Sequence, residues 1–153
     1  MNLARIEQFR VVQFLGGHLL TVHQAVYDRS GGRIGHRILG TPCLLLRTTG
    51  VKTGQARTSA LTYAREGGTY LVAASMGGSP RAPGWYHNLR ADPVAEIQVA
   101  RQRLPVTAAV VEAGDAGYAR LWDIVNLNNS DRYRGYQRLT TRPIPVVVLS
   151  PRP

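Results

Sequence analysis

A single lysine, a single cysteine and only nine acidic residues in 153 positions exclude several classes of protein at once. With Cys43 alone there is no disulfide framework, and its place in the apolar run Pro42-Cys43-Leu44-Leu45-Leu46 predicts a small hydrophobe inside a strand. A lone cysteine and the lack of a signal peptide make the reducing cytoplasm the expected compartment. The histidines, at 18, 23, 36 and 87, lack metal-ligand spacing and no His/Asp/Glu cluster lies near them, so no metal is expected. No repeat or low-complexity stretch is present. The arginines are dispersed, with no run of five or six and no nucleic-acid motif, so nucleic acid is not expected as a partner. The net charge of +10 still asks for an anion, which leaves a lipid surface or a multiply charged small molecule.

What is there fits one domain. A chain of this length buries roughly 70% of its extended surface and needs no staples. From Leu3 to Tyr27, Ile6, Phe9, Val12, Leu15, Leu19, Val22 and Val26 recur every three or four residues, which predicts an N-terminal helix over 1–28. Polar Gln13, His18, His23 and Gln24 argue against a membrane span. The helix either packs on the domain or rests as an amphipathic segment on the inner face of a membrane, a peripheral contact. Residues 30–41 are punctuated by glycine and proline and predict a loop. Strands are expected near 43–49, 57–65, 69–75, 94–100, 104–112 and 144–149, with Pro105 and Pro145 at strand ends, edges or bulges. Helices are expected at Pro83–Arg90 and Gly114–Leu127, the latter capped by Asp115. Mostly antiparallel strands with few helices predict a small barrel-like α+β domain over 42–150.

The most informative stretch is Thr48-Thr-Gly-Val-Lys-Thr-Gly-Gln-Ala-Arg-Thr-Ser59. Gly50 and Gly54 bracket a turn in which Lys52, the chain's one lysine against eighteen arginines, stands beside Thr53 and Arg57. Such a turn is either an anion cradle, with a compact ammonium on a phosphate oxygen, or a solvated hairpin loop. It is not a Walker A loop, which wants glycine where Val51 and Leu46 stand.

Together with Ala73-Ala-Ser-Met-Gly-Gly78, Pro83-Gly-Trp-Tyr-His-Asn-Leu89 and Tyr133-Arg-Gly-Tyr-Gln…Arg-Pro-Ile-Pro-Val-Val-Val148, this stretch resembles the deazaflavin-dependent nitroreductase family across nearly the whole chain. The resemblance implies a split β-barrel of the flavin-reductase type, with short helices over its openings. It implies an oxidoreductase that passes a hydride from reduced coenzyme F420, an 8-hydroxy-5-deazaflavin, to a quinone, nitroaromatic or other conjugated acceptor. It puts Val51, Lys52, Thr53, Gly54 and Arg57 around the coenzyme phosphate and Ala73, Ala74, Ser75 and Met76 along the ring. Gly84, Trp85, Tyr86, His87 and Asn88 would close the site from a helix N-terminus, although Trp85 and Tyr86 also fit plain core packing and His87 a polar helix residue. Tyr133, Tyr136 and Ser75 would orient or protonate the acceptor. Ser130, Thr62, Met76 and Val51 depart from the residues common at these places in the family, and Ser130 and Thr62 would widen or re-polarise the acceptor pocket. Two alternatives stay open beside this: flavin mononucleotide (FMN) as the coenzyme of the same fold, and a non-catalytic cofactor or lipid-surface binder. The sequence carries no code for an oligomeric state.

Overall fold

The computed structural model describes residues 22–38 and 40–153. The predicted helix stripe from Ile6 to Leu19 therefore lies outside the described residues. Residues 22–29 are helical (α1) and residue 30 begins a turn. Strands follow as β1 (Arg37–Ile38), β2 (Thr41–Thr49), β3 (Ala56–Thr62), β4 (Ala64–Glu66), β5 (Thr69–Ala73), β6 (Val94–Val99), β7 (Gln102–Val111) and β8 (Val146–Pro151). Three further helices are α2 (Gly84–Ala91), α3 (Tyr118–Asn128) and α4 (Arg132–Gln137). Every ladder is antiparallel, in the order β1-β2-β6-β7-β8-β5-β4, with β3 on the free side of β2. β3 pairs β2 and β4 pairs β5, and only Tyr63 separates β3 from β4. The two far edges of the sheet are thus one continuous stretch of chain, which bends the sheet into a barrel and leaves it split where hydrogen bonds do not close it.

Period-two alternation explains the core. Leu44 and Leu46 of β2 point into the barrel with Tyr70, Val72, Ile97, Val106, Val147 and Leu149, while Cys43 and Leu45 point outward onto Tyr27 of α1. Three consecutive leucines are all fully buried because both faces of β2 are covered. On the other side Leu71, Ala73 and Val146 lie beneath Leu121, Val125 and Tyr133 of α3 and α4. Tyr27 is the pin that fixes α1: its hydroxyl donates toward the carbonyls of Cys43 (3.1 Å) and Gln98 (3.2 Å) and accepts the Ala100 N–H (2.7 Å). Val22 and Val26, expected on the packed stripe, are instead 60% and 40% exposed; at this end of the helix Tyr27 alone makes the deep contact. No helix among the described residues is long and apolar enough to cross a membrane.

Several sequence expectations shift. The supposed loop 30–41 contains β1, a two-residue pair to Thr41 and Pro42. Asp115 does not cap α3: its carboxylate accepts the Glu112 N–H (2.8 Å), and Gly117, at φ 82°, takes the cap position. Pro105 lies inside β7, and its carbonyl accepts the Arg152 N–H just past the end of β8. Its missing donor faces Arg152, so the one ladder bond lost is the reciprocal one, just past the last residue of β8. Pro145 precedes β8, as a strand-end proline should.

Candidate active-site cleft

The β2–β3 turn is built by its own backbone. Gly50 donates to the Gln55 carbonyl and Gly54 to the Gly50 carbonyl, both at 2.8 Å, with Gly54 at φ 67°. A Cβ on Gly50 would lie 2.9 Å from Thr53 Oγ1 and 3.3 Å from the Gln55 carbonyl, so a larger residue would crowd the turn. Asn88 of α2 then ties the turn to the helix: its Oδ1 accepts the Val51 N–H (3.2 Å) and its Nδ2 donates to Thr48 Oγ1 (3.0 Å). Two features that favour anions are thereby held together. One is the turn with Lys52, Thr53 and Arg57, all exposed. The other is the N-terminus of α2, where no side chain caps the first amides and open space surrounds the Cα of Gly84.

Between them lies a cleft of about 1240 Å³. The structure brings Val51, Lys52, Thr53, Arg57, Met76, Gly84, Trp85, His87 and Asn88 onto its walls. Among the described residues neither Lys52 nor Arg57 is ion-paired, whereas Arg47 behind them is held by Asp28 (2.7 Å) and Glu96 (3.4 Å). Trp85 serves both readings offered by the sequence, since it lines the cleft and belongs to the barrel core. The chain also adds wall residues that sequence reasoning missed: Gln24 and Asp28 from α1, and Arg90 and Ala91 from the last turn of α2. Arg90 carried a signal of a kind, being three residues past His87 on the same helix face. Asp28 carried none, because only the fold brings α1 to the β2–β3 turn.

Other expected residues lie elsewhere. Gly54 shapes the turn without lining the cleft. Ala73, Ala74 and Ser75 are buried behind the wall. Tyr86 is turned to the opposite side of α2, its hydroxyl donating to Glu112 (2.6 Å) and accepting from Arg90 (3.0 Å). The reason is helical geometry: α2 buries Trp85, Tyr86 and Leu89, so Tyr86 cannot share the face that carries Gly84, His87 and Asn88. Burial, then the bond to Glu112, raises the Tyr86 phenol above its ordinary pKa.

Tyr133 and Tyr136 meet edge to face on α4, ring centroids 6.2 Å apart. The helix is set by Asn126 of α3, whose Oδ1 accepts the Arg134 N–H (2.9 Å) and so caps α4 from its neighbour. Tyr133 is buried and its hydroxyl bonds Thr62 Oγ1 at 2.7 Å. Desolvation raises its pKa, so it holds its proton. Neither tyrosine lines the cleft: Tyr136 is half-buried on α4, which packs on the turn that carries Met76 into it. Among the described residues no group of three or more His, Cys, Asp or Glu is placed to hold a metal.

Comparison with known proteins agrees with this geometry. The family model for F420H(2)-dependent quinone reductase matches residues 19–151. An F420H(2)-dependent quinone reductase of Mycobacterium tuberculosis is 59% identical over 139 residues, 90% of this chain and 93% of that one. The solved structure of an F420-H2 dependent reductase (FDR-A) superposes with a TM-score of 0.63 at 34% identity, covering 71% of this chain and 94% of that one. A further structure, described as a domain-swapped dimer, gives a TM-score of 0.65 at 30% identity over 88% of this chain and 99% of that one. The quinone reductase and FDR-A are named for F420, and none of the three is named for FMN. A tethered turn bearing unpaired cations, a barrel open beside it and homology over nearly the full length have one common explanation: the chain belongs to the F420H(2)-dependent quinone reductase family, and it is an oxidoreductase.

Proposed function

We propose that the cleft between the β2–β3 turn and the N-terminus of α2 holds reduced coenzyme F420 and passes its hydride to a quinone. The observation that carries this reading is the pair of hydrogen bonds that Asn88 makes to Val51 and Thr48, which fixes two anion-favouring elements on one cleft. Lys52, Arg57, Thr53 and the Gly84 and Trp85 amides suit the phosphodiester, with charge-assisted bonds that need no partner from the protein. The Gly50 turn fits this role, since Lys52 and Arg57 stay exposed at it while Asn88 holds the Val51 N–H. Trp85 and Met76 offer flat, polarisable surface to a ring system.

When bound, the coenzyme supplies the hydride, two electrons at once. The protein supplies position and a proton. A quinone reduced by hydride takes up one proton at its oxygen to become a hydroquinone, and Tyr136 is the phenol best suited to orient that oxygen and donate to it. Tyr133 is committed to Thr62 and supports the helix, and Ser75 lies behind the wall. Donation by a weak acid suffices, because charge develops on the quinone oxygen only as the hydride arrives. Nitroaromatic acceptors would have to use the same phenol, with Ser130 and Thr62 in place of the bulkier residues common in the nitroreductases.

The test is a fluorescence titration with coenzyme F420. Lys52→Ala with Arg57→Ala is expected to weaken binding about a hundredfold or more, at roughly 1.5–3 kcal/mol for each charge-assisted contact. Thermal stability should barely change, since both side chains are exposed. Binding as tight as wild type would remove the coenzyme from this cleft.

A further inference from the structure

The turn after β5 is the most demanding backbone on the cleft. Met76, Gly77 and Gly78 take φ values of 44°, 63° and 82° in succession, and Met76 has a Cβ to accommodate. Left-handed backbone at a non-glycine residue persists only where its surroundings over-determine it. Two contacts do so here. On one side the turn is pressed against α4: a Cβ on Gly78 would lie 2.6 Å from the Tyr136 carbonyl and 2.9 Å from Leu139 Cβ. On the other, the Arg142 guanidinium donates from Nε to the Ser79 carbonyl (3.1 Å) and from Nη2 to the carbonyls of Ser75 (3.0 Å) and Arg81 (3.2 Å).

Arg142 is itself fixed from α4. Gln137 donates Nε2 to the Arg142 carbonyl (2.9 Å) and accepts the Ile144 N–H at Oε1 (2.9 Å). Among the described residues no carboxylate pairs with Arg142, and its Nη1 is buried without a partner. An unpaired cation with one unsatisfied nitrogen is a poor stabiliser. What it supplies is geometry, because a planar fork reaches three carbonyls that a single ammonium nitrogen cannot hold together in the same plane.

We propose that Arg142 is a positioning residue for hydride transfer. By clamping the Ser75–Arg81 turn against α4, it sets the spacing between the cleft wall at Met76 and Trp85 and the acceptor side at Tyr136. This rests on the reading of the cleft given above. Arg142 acts through the turn and touches neither coenzyme nor acceptor.

Three variants test it: Arg142→Met, Arg142→Lys and Gly78→Ala. Amide hydrogen exchange is measured without ligand, coenzyme affinity by fluorescence, and turnover with reduced F420 and a short-chain naphthoquinone. Arg142→Met is expected to speed exchange in residues 75–82 about tenfold while β5 and β8 keep their protection. It should lower kcat about ten- to a hundredfold with the coenzyme Kd within about twofold, the signature of lost alignment. Arg142→Lys should fall between, and Gly78→Ala, which pushes the turn off α4 from the other side, should move both readouts as Arg142→Met does. Unchanged exchange in the turn, faster exchange spread evenly over the sheet, wild-type kcat, or coenzyme affinity falling in step with kcat would each overturn the proposal. If Arg142→Met does not fold, Gly78→Ala decides by the same criteria. Exchange needs no coenzyme, so its outcome is separate from the Lys52 and Arg57 titration on which the cleft assignment stands.

Discussion

Lys52 and Arg57 stand exposed at the β2–β3 turn, and among the described residues neither is ion-paired. Across the barrel, the wall made by α3 and α4 is the reverse. Tyr118 stacks on Trp122 (5.8 Å), Trp122 meets Tyr133 (6.4 Å), and the hydroxyls of Tyr118 and Tyr133 are taken by the Ile144 carbonyl and Thr62. The wall spends its polar groups on the fold, and the turn keeps its own in reserve. Groups left without protein partners at a cleft contribute little to folding, so the two regions should respond to substitution in opposite ways: the turn in binding, the wall in stability.

The largest effect should come from the wall. Leu121 is 5% exposed and packs with Leu71, Val125, Tyr133 and Ile144. Leu121→Ala should lower unfolding free energy by about 2–5 kcal/mol through lost burial and the cavity left behind. Coenzyme affinity should stay near wild type in the fraction that remains folded. Denaturant titration beside fluorescence binding measures both, and a loss of affinity matching that of the Lys52 and Arg57 variants would erase the contrast.

The same contrast marks what the chain displays before folding. Local patterns gave most of the strands, though neither β1 nor the break at Tyr63 that divides the expected strand 57–65 into β3 and β4; they also gave the split barrel through family resemblance, the Gly50–Gly54 turn and the helix that starts at Gly84, because each is written in neighbouring residues. Where the rule is longer-ranged the sequence is silent. That Tyr86 serves the core and His87 the cleft depends on which face of α2 meets the barrel, a fact of packing. Asp28 and Gln24 reach the cleft only because Tyr27 pins α1 over β2 and β6. Arg142 looked like any other arginine, since its three acceptors are carbonyls more than sixty positions away. The expected cap at Asp115 failed for a local reason: the carboxylate found a nearer amide, at Glu112.

The pin at α1 extends the comparison to a second wall, with a smaller effect. Burial pushes the Cys43 thiol from 9.0 up to about 12 and the Tyr27 phenol from 10.0 up to about 12. Both raised values mean that the fold favours the neutral, protonated forms. Their contribution is complete below the unfolded pKa values and is lost as pH climbs toward 12, so stability falls on the alkaline side, by about 1–2 kcal/mol near pH 10. Cys43→Ala should flatten the onset between pH 9 and 10 and leave the Tyr27 part above it. An onset between pH 9 and 10 that Cys43→Ala leaves unchanged would mean that α1 opens in solution and lets the thiol titrate normally.

The finest distinction lies within α4, between phenols one turn apart. Tyr133 is 6% exposed and its hydroxyl is 2.7 Å from Thr62 Oγ1, so Tyr133→Phe removes one buried hydrogen bond and strands the Thr62 hydroxyl. That should cost about 1 kcal/mol of stability. Turnover should change little, because a proton held more tightly by burial and already shared with Thr62 is not the one delivered to a quinone. Pairing the substitution with Thr62→Val restores an apolar match and should recover most of the stability, as a double-mutant cycle would register. If Tyr133→Phe instead abolished turnover at unchanged stability, the phenol would belong to the chemistry, and the line between a wall that folds and a cleft that reacts would have to be redrawn through α4.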